Sequence, residues 1–299
     1  MSNRIVVTGA AGFIGRNIVS ALNARGYTDI LVVDDLSEAG KFQNLLGLKI
    51  SDYFDKRDFY DQFAVGHFGN VEAVFHEGAC SDTMEHDGRY MMENNYRASK
   101  TLLDTCLARG TRLLYASSAA TYGASRTFVE DPQWEKPLNV YGYSKLLFDQ
   151  VVHRYLPQPS IQIAGFRYFN VYGERQPLRG QYAPVIGIFL RQRAAGETLT
   201  IVSDGNQRRD FTYVGDVVNA NILAATKEVD SEAFGELYNV GTGSNYSINQ
   251  IAKMIGHPTV HIPPRPGEAR TSLANNQKLR KTFGWEPTVK VEDWIKEQL

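Results

Sequence analysis

A tyrosine and a lysine stand four residues apart in the segment NVYGYSK, residues 139–145. Side chains at positions i and i+4 share one face of a helix, so Tyr141 and Lys145 can act on the same atom. A phenol with a pKa of about 10 is a poor base at neutral pH, but positive charge beside it stabilises the phenolate. The pair therefore predicts that Tyr141 accepts a carbinol proton, with Lys145 lowering its pKa. Alone, the spacing also fits an ordinary surface helix.

A third polar group is expected where a central strand ends. The segment YASSAATYG offers Ser117, Ser118 and Thr121 at the end of an apolar run. Ligands of open α/β sheets bind at the carboxyl ends of the strands, so a hydroxyl there can hydrogen-bond the reacting oxygen. Otherwise, these are polar turn residues.

Short β-branched runs alternate with amphipathic segments over the first 170 residues. Strands are predicted at 4–9, 29–35, 71–79, 111–119 and 161–170, and helices at 13–26, 89–109 and 143–155. Such alternation implies right-handed crossovers and a parallel sheet covered on both faces. We predict an α/β fold with a doubly wound, Rossmann-like parallel sheet.

Gly9, Gly12 and Gly15 join the first predicted strand to the first predicted helix. The first glycine permits a tight turn, the second lets backbone approach a pyrophosphate, and the third lets the helix pack on the strand. Asp34 and Asp35 end the next strand, where a carboxylate accepts hydrogen bonds from an adenosine ribose. We predict a dinucleotide site that also includes Phe13, Ile14, Lys41, Asp52, Glu77, Asn95, Tyr141 and Lys145.

The two acids bear on the choice of cofactor. Asp34 and Asp35 repel a 2′-phosphate, which favours NAD, whereas Lys41 would offset that repulsion, so NADP is the alternative. With a nicotinamide cofactor, hydride leaves the carbinol while Tyr141 takes the proton. His76 and Glu77 are expected to support the nicotinamide side of the site by packing.

Beyond Gly173, shorter elements are separated by Pro, Gly and charged residues. Helices are predicted at 182–196, 214–227 and 246–255, a strand at 199–202, and a Pro-rich segment at 258–267. We predict a dinucleotide-binding domain over 1–173 and a mainly substrate-binding lobe over 174–299, some of whose elements rejoin the first sheet.

Charge and composition argue against several other classes. The chain of 299 residues has 32 basic and 33 acidic side chains, so it has no bulk attraction for nucleic acid or an anionic membrane. Cys80 and Cys106 lack the spacing of a metal site, and no metal is expected. No apolar run approaches the roughly 18 residues of a membrane span, and the start lacks the pattern of a signal peptide. We therefore expect a cytoplasmic protein.

Four segments together resemble extended short-chain dehydrogenases/reductases of the nucleotide-sugar branch: TGAAGFIG, SSAATYG, YGYSK and FRYFNVYG. The resemblance covers essentially the whole chain. It implies a catalytic trio of Ser118, Tyr141 and Lys145, a nucleotide-diphospho-sugar substrate and a homo-oligomer. The predicted substrate-binding residues are Ser81, Asn170, Arg179, Arg209 and Arg265, with the guanidinium groups of Arg209 and Arg265 on the diphosphate.

The residues after Ser118 bear on the reaction. Family members that remove water resemble one another in placing Asp-Glu there, whereas this chain has Ala119 and Ala120. Epimerisation remains, in which a carbinol is oxidised, the bound ketone reorients, and hydride returns to its other face. A dinucleotide sensor without catalysis is the competing hypothesis, and the presence of the complete trio disfavours it.

The two halves resemble different epimerases. DILVVDDLSEAGKF, FHEGACSDTMEHDGRYMMENN and EKPLNVYGYSKLLFD resemble ADP-glycero-manno-heptose 6-epimerase, whereas GNQRRDFTYVGDV and PPRPGEARTSLANNQKLRKTFGWEP resemble UDP-hexose 4-epimerases. Natural recombination and a built chimera both account for this. Heptose 6-epimerases resemble one another in a second, lysine base, where this chain has Arg179, and arginine stays protonated. We favour a UDP-hexose 4-epimerase, with the heptose 6-epimerase as the alternative.

Overall fold

A computed structural model describes residues 4–154, 160–180, 183–227, 235–264 and 267–299. Its strands are β1 (Arg4–Thr8), β2 (Ile30–Asp34), β3 (Asp52–Asp55), β4 (Val71–His76), β5 (Arg112–Ser118), β6 (Ile163–Tyr168), β7 (Val171–Tyr172), β8 (Leu199–Val202), β9 (Arg208–Arg209), β10 (Thr212–Tyr213), β11 (Glu236–Val240), β12 (Tyr246–Ser247) and β13 (Thr259–Ile262). Seven of them form one parallel sheet in the order β11-β6-β5-β4-β1-β2-β3. The predicted doubly wound α/β fold is confirmed.

Helices cover both faces of this sheet. The α-helices of the described residues are α1 (Phe13–Ala24), α2 (Lys56–Ala64), α3 (Gly88–Met91), α4 (Ala98–Arg109), α5 (Val140–His153), α6 (Val185–Ala194), α7 (Val214–Thr226), α8 (Ile248–Ile255), α9 (Gln277–Phe283) and α10 (Val291–Glu297), and a π-helical segment, Met92–Arg97, joins α3 to α4. On one face α1, α7 and α9 contribute Ile18, Val217 and Leu279 to the core. On the other, α2, α4 and α5 pack side chains such as Phe59 and Val152.

Burial on both faces explains why the central strands were visible in the sequence. All five residues of β2 are buried, and parallel strands covered on both sides read as continuous apolar runs. The edge strand β3 has only exposed or half-buried residues, so it lacks this signal and was not predicted.

A smaller core lies in the later part of the chain. It joins α6, α8 and α10 to the parallel pair β8 and β13 through Phe189, Leu199, Ile251 and Trp294. The segment 258–267 was described from the sequence only as Pro-rich, and no strand was predicted there, but β13 lies within it. Three of the four residues of β13 are exposed, which removes the apolar pattern by which a strand is recognised.

Both parts of the chain contribute to the core of the large sheet. From the later part, β11 pairs with β6 at the edge of the large sheet, and α7 packs on α1. The boundary at Gly173 stays a prediction. A join at that position would have to preserve both of these contacts.

Candidate active site

The glycine loop fits a closely approaching ligand. Gly9 follows β1 with φ +65°, and a Cβ there would lie 2.7 Å from the backbone nitrogen of Gly78. A Cβ on Gly15 would collide with the carbonyl oxygen of Gly9. The turn therefore requires glycine at both positions, and it leaves the N-terminus of α1 open towards the cavity, as a pyrophosphate site requires.

The two acids after β2 are already engaged. Asp34 accepts hydrogen bonds from the Ala11 amide at 2.7 Å and from Lys41 Nζ at 2.6 Å. Asp35 pairs with Lys56 at 3.1 Å, and a hydrogen bond from Ser37, followed by the charge of Lys56, lowers the pKa of this acid. Each acid thus has a lysine beside it. These pairings weaken the electrostatic argument against a 2′-phosphate.

Helix α5 begins where it can present Tyr141 to Ser118. Asn139 caps it by accepting a hydrogen bond from the Gly142 amide at 2.8 Å, so the helix starts at Val140 rather than at residue 143 as predicted. A Cβ on Gly142 would lie 2.6 Å from the carbonyl oxygen of Ala120. Glycine at this position therefore lets the first turn of α5 lie directly on the loop that follows Ser118.

We expect Gly142→Ala to reduce turnover by about 10²-fold, because the added methyl pushes Tyr141 away from Ser118 and misplacement by about 1 Å can cost that much. Steady-state kinetics with the converted sugar nucleotide measures the effect. Gly88→Ala is the matched control, because a Cβ there meets only Val140 at 3.7 Å, an ordinary contact. Equal turnover in both variants would contradict this reading of Gly142.

The protein alone does not lower the pKa of Tyr141. Burial raises it, although a hydrogen bond with Ser118 opposes the increase. Lys145 donates to the Ala116 carbonyl oxygen at 2.8 Å, and burial lowers its pKa to about 8, against the opposing charges of Glu77 and Asp149. The lowering of the phenol pKa by Lys145 therefore stays a prediction. The remaining source of positive charge in the predicted chemistry is an oxidised nicotinamide ring.

One cavity of about 1990 Å³ connects the glycine loop to the trio. Its volume exceeds the roughly 300–1,000 Å³ of an ordinary ligand pocket, which suits a dinucleotide together with a second nucleotide. It is lined by most of the predicted site residues: Gly9, Gly12, Phe13, Ile14, Gly15, Asp34, Asp35, Lys41, Glu77, Ser81, Ser118, Tyr141, Lys145, Asn170, Arg179 and Arg209.

Two of the predicted residues that the structure describes do not join this lining. Asp52 is exposed at the start of β3, at the amino end of the strand, whereas the cavity lies at the carboxyl ends of the strands, and its carboxylate accepts a hydrogen bond from the next amide. Asn95 is buried and bonds the backbone of Cys80 through both side-chain atoms. It therefore shapes the loop after β4 and does not face the cavity. Arg265 lies outside the described residues.

On the substrate side, the side chain of Arg209 is only 16% exposed. Its nearest acid, Glu268, lies 3.9 Å away, and burial lowers the pKa of Arg209. A buried guanidinium with such a distant partner is suited to an anionic ligand. Asn170 donates hydrogen bonds to the Asp210 carbonyl at 3.3 Å and to Ser272 at 3.2 Å, which fixes its amide at the cavity wall.

Sequence reasoning missed a buried charge network beneath the trio. Arg167 is fully buried and donates two hydrogen bonds to Asp149, at 3.0 and 3.1 Å, and one to Glu135. Asp149 also accepts from Ser117 and Tyr115 of β5. Because Asp149 lies one turn beyond Lys145 on α5, the network anchors this helix to the sheet. In the sequence, the only signal for this network is the position of Asp149 four residues after Lys145.

A model of the NAD dependent epimerase/dehydratase family matches residues 5–241. The chain belongs to this family. The predictions of an enzyme, of an extended short-chain dehydrogenase fold and of NAD as cofactor are thereby confirmed. Within the described residues of this epimerase/dehydratase, no helix is long and apolar enough to cross a membrane. No group of three or more His, Cys, Asp or Glu among them is placed to hold a metal ion.

Solved structures of nucleotide-sugar epimerases match nearly the whole chain. UDP-glucose 4-epimerase of Thermotoga maritima, with UDP-glucose, is 30% identical with a TM-score of 0.86, covering 98% of this chain and 96% of its own. ADP-L-glycero-D-manno-heptose-6-epimerase of Helicobacter pylori is 28% identical with a TM-score of 0.86, covering 99% and 95%. UDP-glucuronic acid 4-epimerase of Bacillus cereus, with UDP-glucuronic acid and NAD, is 26% identical with a TM-score of 0.84, covering 99% and 97%.

Proposed function

We propose that the protein inverts one carbinol of a nucleotide-diphospho-sugar by oxidation and re-reduction. The main support for this function is the position of Tyr141. It hydrogen-bonds Ser118, lies one helical turn from Lys145, and lines the same cavity as the glycine loop. Ala119 and Ala120 follow Ser118, so no acid stands there to expel water. Loss of water is therefore disfavoured relative to inversion.

The chain's own groups hold the ligands and move the proton. Gly9, Gly12 and Gly15 hold the pyrophosphate of NAD, and NAD, when bound, supplies the hydride chemistry. As the carbinol C–H bond breaks, Tyr141 takes the hydroxyl proton and Ser118 hydrogen-bonds the carbinol oxygen. After the ketone turns over, Tyr141 returns a proton to that oxygen and the C–H bond forms on the opposite face. No net oxidant or reductant is consumed.

Within this class we favour a UDP-hexose inverted at C4. A 4-keto sugar that turns over within the cavity needs only one base, Tyr141. Arg179 lines the same cavity, and its guanidinium does not deprotonate at physiological pH. Inversion that depends on a second base at this position is thereby disfavoured. Arg209 supplies the charge for the diphosphate.

The heptose 6-epimerase is the second candidate. The segments around Ser81 and Tyr141 resemble that enzyme, and the Helicobacter pylori heptose epimerase is nearly as similar to the chain as the Thermotoga maritima 4-epimerase. If Arg179 replaces a second base, we expect Arg179→Lys to raise conversion of ADP-glycero-manno-heptose by at least tenfold while leaving a UDP-hexose unaffected. Rates with both sugars, measured side by side, test this. An unchanged heptose rate would mean that residue 179 does not decide which sugar is converted.

Proton NMR after incubation with NAD and one sugar nucleotide at a time tests the function. The sugar nucleotides to be tested are UDP-glucose, UDP-N-acetylglucosamine and ADP-glycero-manno-heptose. We expect the C4 epimer of a UDP-hexose to appear. Conversion of the heptose alone would select the second candidate, and conversion of none would contradict the proposal. The homo-oligomer, the absence of nucleic-acid and membrane partners, and the cytoplasmic location stay predictions.

A further inference from the structure

Glu77 is a buried acid in this cavity to which the proposed proton transfer assigns no role. It directly follows β4, and its Oε1 accepts a hydrogen bond from the Tyr168 hydroxyl at 3.0 Å. Its Oε2 is buried and has no hydrogen-bond partner among the described residues. A buried carboxyl oxygen without a partner is costly for the fold, so this atom calls for an explanation.

The direction of the hydrogen bonds defines Glu77 as an acceptor. The side-chain amide nitrogen of Asn221 donates to the backbone of Val217 at 3.0 Å and to the Tyr168 oxygen at 2.8 Å. Because that oxygen already accepts a hydrogen bond, the Tyr168 proton is directed to Glu77. The Tyr168 hydroxyl thus stabilises the ionised carboxylate through Oε1 and leaves Oε2 available to a positively charged group.

Glu77 lies between the two ends of the predicted cofactor site. Its neighbour Gly78 abuts Gly9 of the phosphate loop. Lys145, one turn from Tyr141, acts on the Glu77 carboxyl through its charge. A nicotinamide ring must lie next to the carbon on which Tyr141 acts. A dinucleotide that runs from the glycine loop to Tyr141 therefore brings its ring to the part of the cavity that Glu77 lines.

We propose that Glu77 is the electrostatic partner of the nicotinamide, ionised when the ring is oxidised and positively charged, and protonated when the ring is reduced and neutral. The proposal rests on the NAD-dependent function above. In chemical terms, NAD⁺ binding drives loss of the carboxyl proton to solvent, and the reduced ring favours its return. Glu77 would thereby stabilise the oxidised cofactor and favour return of the hydride to the keto-sugar.

Its environment permits this exchange near neutral pH. Burial raises the pKa of Glu77 to about 7, against the opposing effects of the Tyr168 hydrogen bond and of Lys145. The groups that face it are Lys145 from α5, Tyr168 from β6 and, through Tyr168, Asn221 from α7. His76 precedes it on β4, but burial lowers the pKa of this imidazole to about 3, so it stays neutral.

Calorimetry of cofactor binding tests the proposal without any sugar. NAD⁺ and NADH are titrated at pH 6 into nucleotide-free protein, in two buffers that differ in ionisation enthalpy, which gives the number of protons exchanged. All proteins carry Tyr141→Phe, so the phenol cannot contribute. A carboxyl with a pKa of about 7 is about nine-tenths protonated at pH 6. We expect release of nearly one proton with NAD⁺ and essentially none with NADH.

Adding Glu77→Gln should abolish that release, whereas Glu72→Gln should preserve it. Glu72 is the matched control, because it lies on β4, the strand that Glu77 follows, and pairs with Arg112 at the surface. Equal release after Glu77→Gln, or none in the parent protein, would overturn the proposal. Failure of the epimerase assignment would instead show as native protein, with Tyr141 in place, that converts no sugar nucleotide although the proton release is intact.

Thermal stability without cofactor gives an independent readout. The folded pKa of Glu77 lies above its unfolded value, so its contribution is present at low pH and is lost as pH rises to about 7. The Tm advantage of Glu77→Gln over the native protein should therefore grow from pH 5 to pH 8. If Glu77→Gln does not fold, Tyr168→Phe replaces it as the test variant. Loss of the hydroxyl that donates to Glu77 should raise the pKa of this acid and move the proton release to higher pH. A Tm difference or proton release that stays constant with pH would overturn the proposal.

Discussion

Replacement of Tyr141 by phenylalanine should lower kcat by about 10²–10⁴-fold, the usual contribution of a positioned acid–base group. In the proposed mechanism Tyr141 takes the carbinol proton while Ser118 and Lys145 hold its surroundings in place, and phenylalanine fills the same space without the hydroxyl. NAD binding should persist, because the glycine loop and the lysines beside Asp34 and Asp35 are unchanged. Steady-state kinetics with the converted sugar nucleotide, together with calorimetric NAD titration, separate the two effects.

Tyr143→Phe is the matched control for this substitution. Tyr143 lies two residues further along α5, and it is 48% exposed. The turnover of the Tyr143→Phe enzyme should match that of the native protein. A Tyr141→Phe enzyme that retains more than a tenth of native kcat would show that the phenol is not the proton acceptor.

Removal of the Asp149 charge should destabilise the fold by about 3–5 kcal/mol, because it leaves the buried Arg167 charge without its main partner. In Asp149→Asn the amide retains the size of the side chain, but Arg167 is left with Glu135 as its carboxylate partner. Ser117 and Tyr115 lose a charged acceptor as well. Urea unfolding at neutral pH gives the free energy of unfolding.

Glu93→Gln provides the comparison for a surface ion pair. Glu93 pairs with Arg97 at 3.2 Å, and both side chains are largely exposed. We expect a change of about 0.5 kcal/mol or less, as is usual for such pairs. A loss below about 1 kcal/mol in Asp149→Asn would refute the structural role assigned to the network. Because Asp149 anchors α5, turnover should fall with it.

The sequence predicted the features that depend on neighbouring residues. The positions of Gly9, Gly12 and Gly15 in a strand-to-helix turn, and the spacing of Tyr141 and Lys145, are local patterns, and the structure places all five residues at one cavity. The buried central strands were found for the same reason, because burial on both faces leaves an unbroken apolar run.

Features that depend on distant parts of the chain were not predictable. Asp52 was assigned to the cofactor site, yet it begins β3 and so lies at the amino end of that strand, whereas the cavity lies at the carboxyl ends. Lys56 begins α2 directly after β3 and pairs with Asp35, which follows the neighbouring strand β2, and nothing in the sequence context of Lys56 indicated this. The two oxygens of Glu77 differ because the fold brings Tyr168, almost a hundred residues later in the chain, to one of them and leaves the other without a partner.

Epimerisation in D₂O tests the central claim most directly. If the hydrogen is removed as hydride and returned from a retained cofactor, the epimer should carry no deuterium on carbon, because Tyr141 exchanges only the hydroxyl proton with solvent. Mass spectrometry and proton NMR of the product measure this for whichever sugar nucleotide is converted. We expect a product without carbon-bound deuterium. Deuterium at the inverted carbon would mean removal and return of a proton, and would contradict the oxidation and re-reduction assigned to this site.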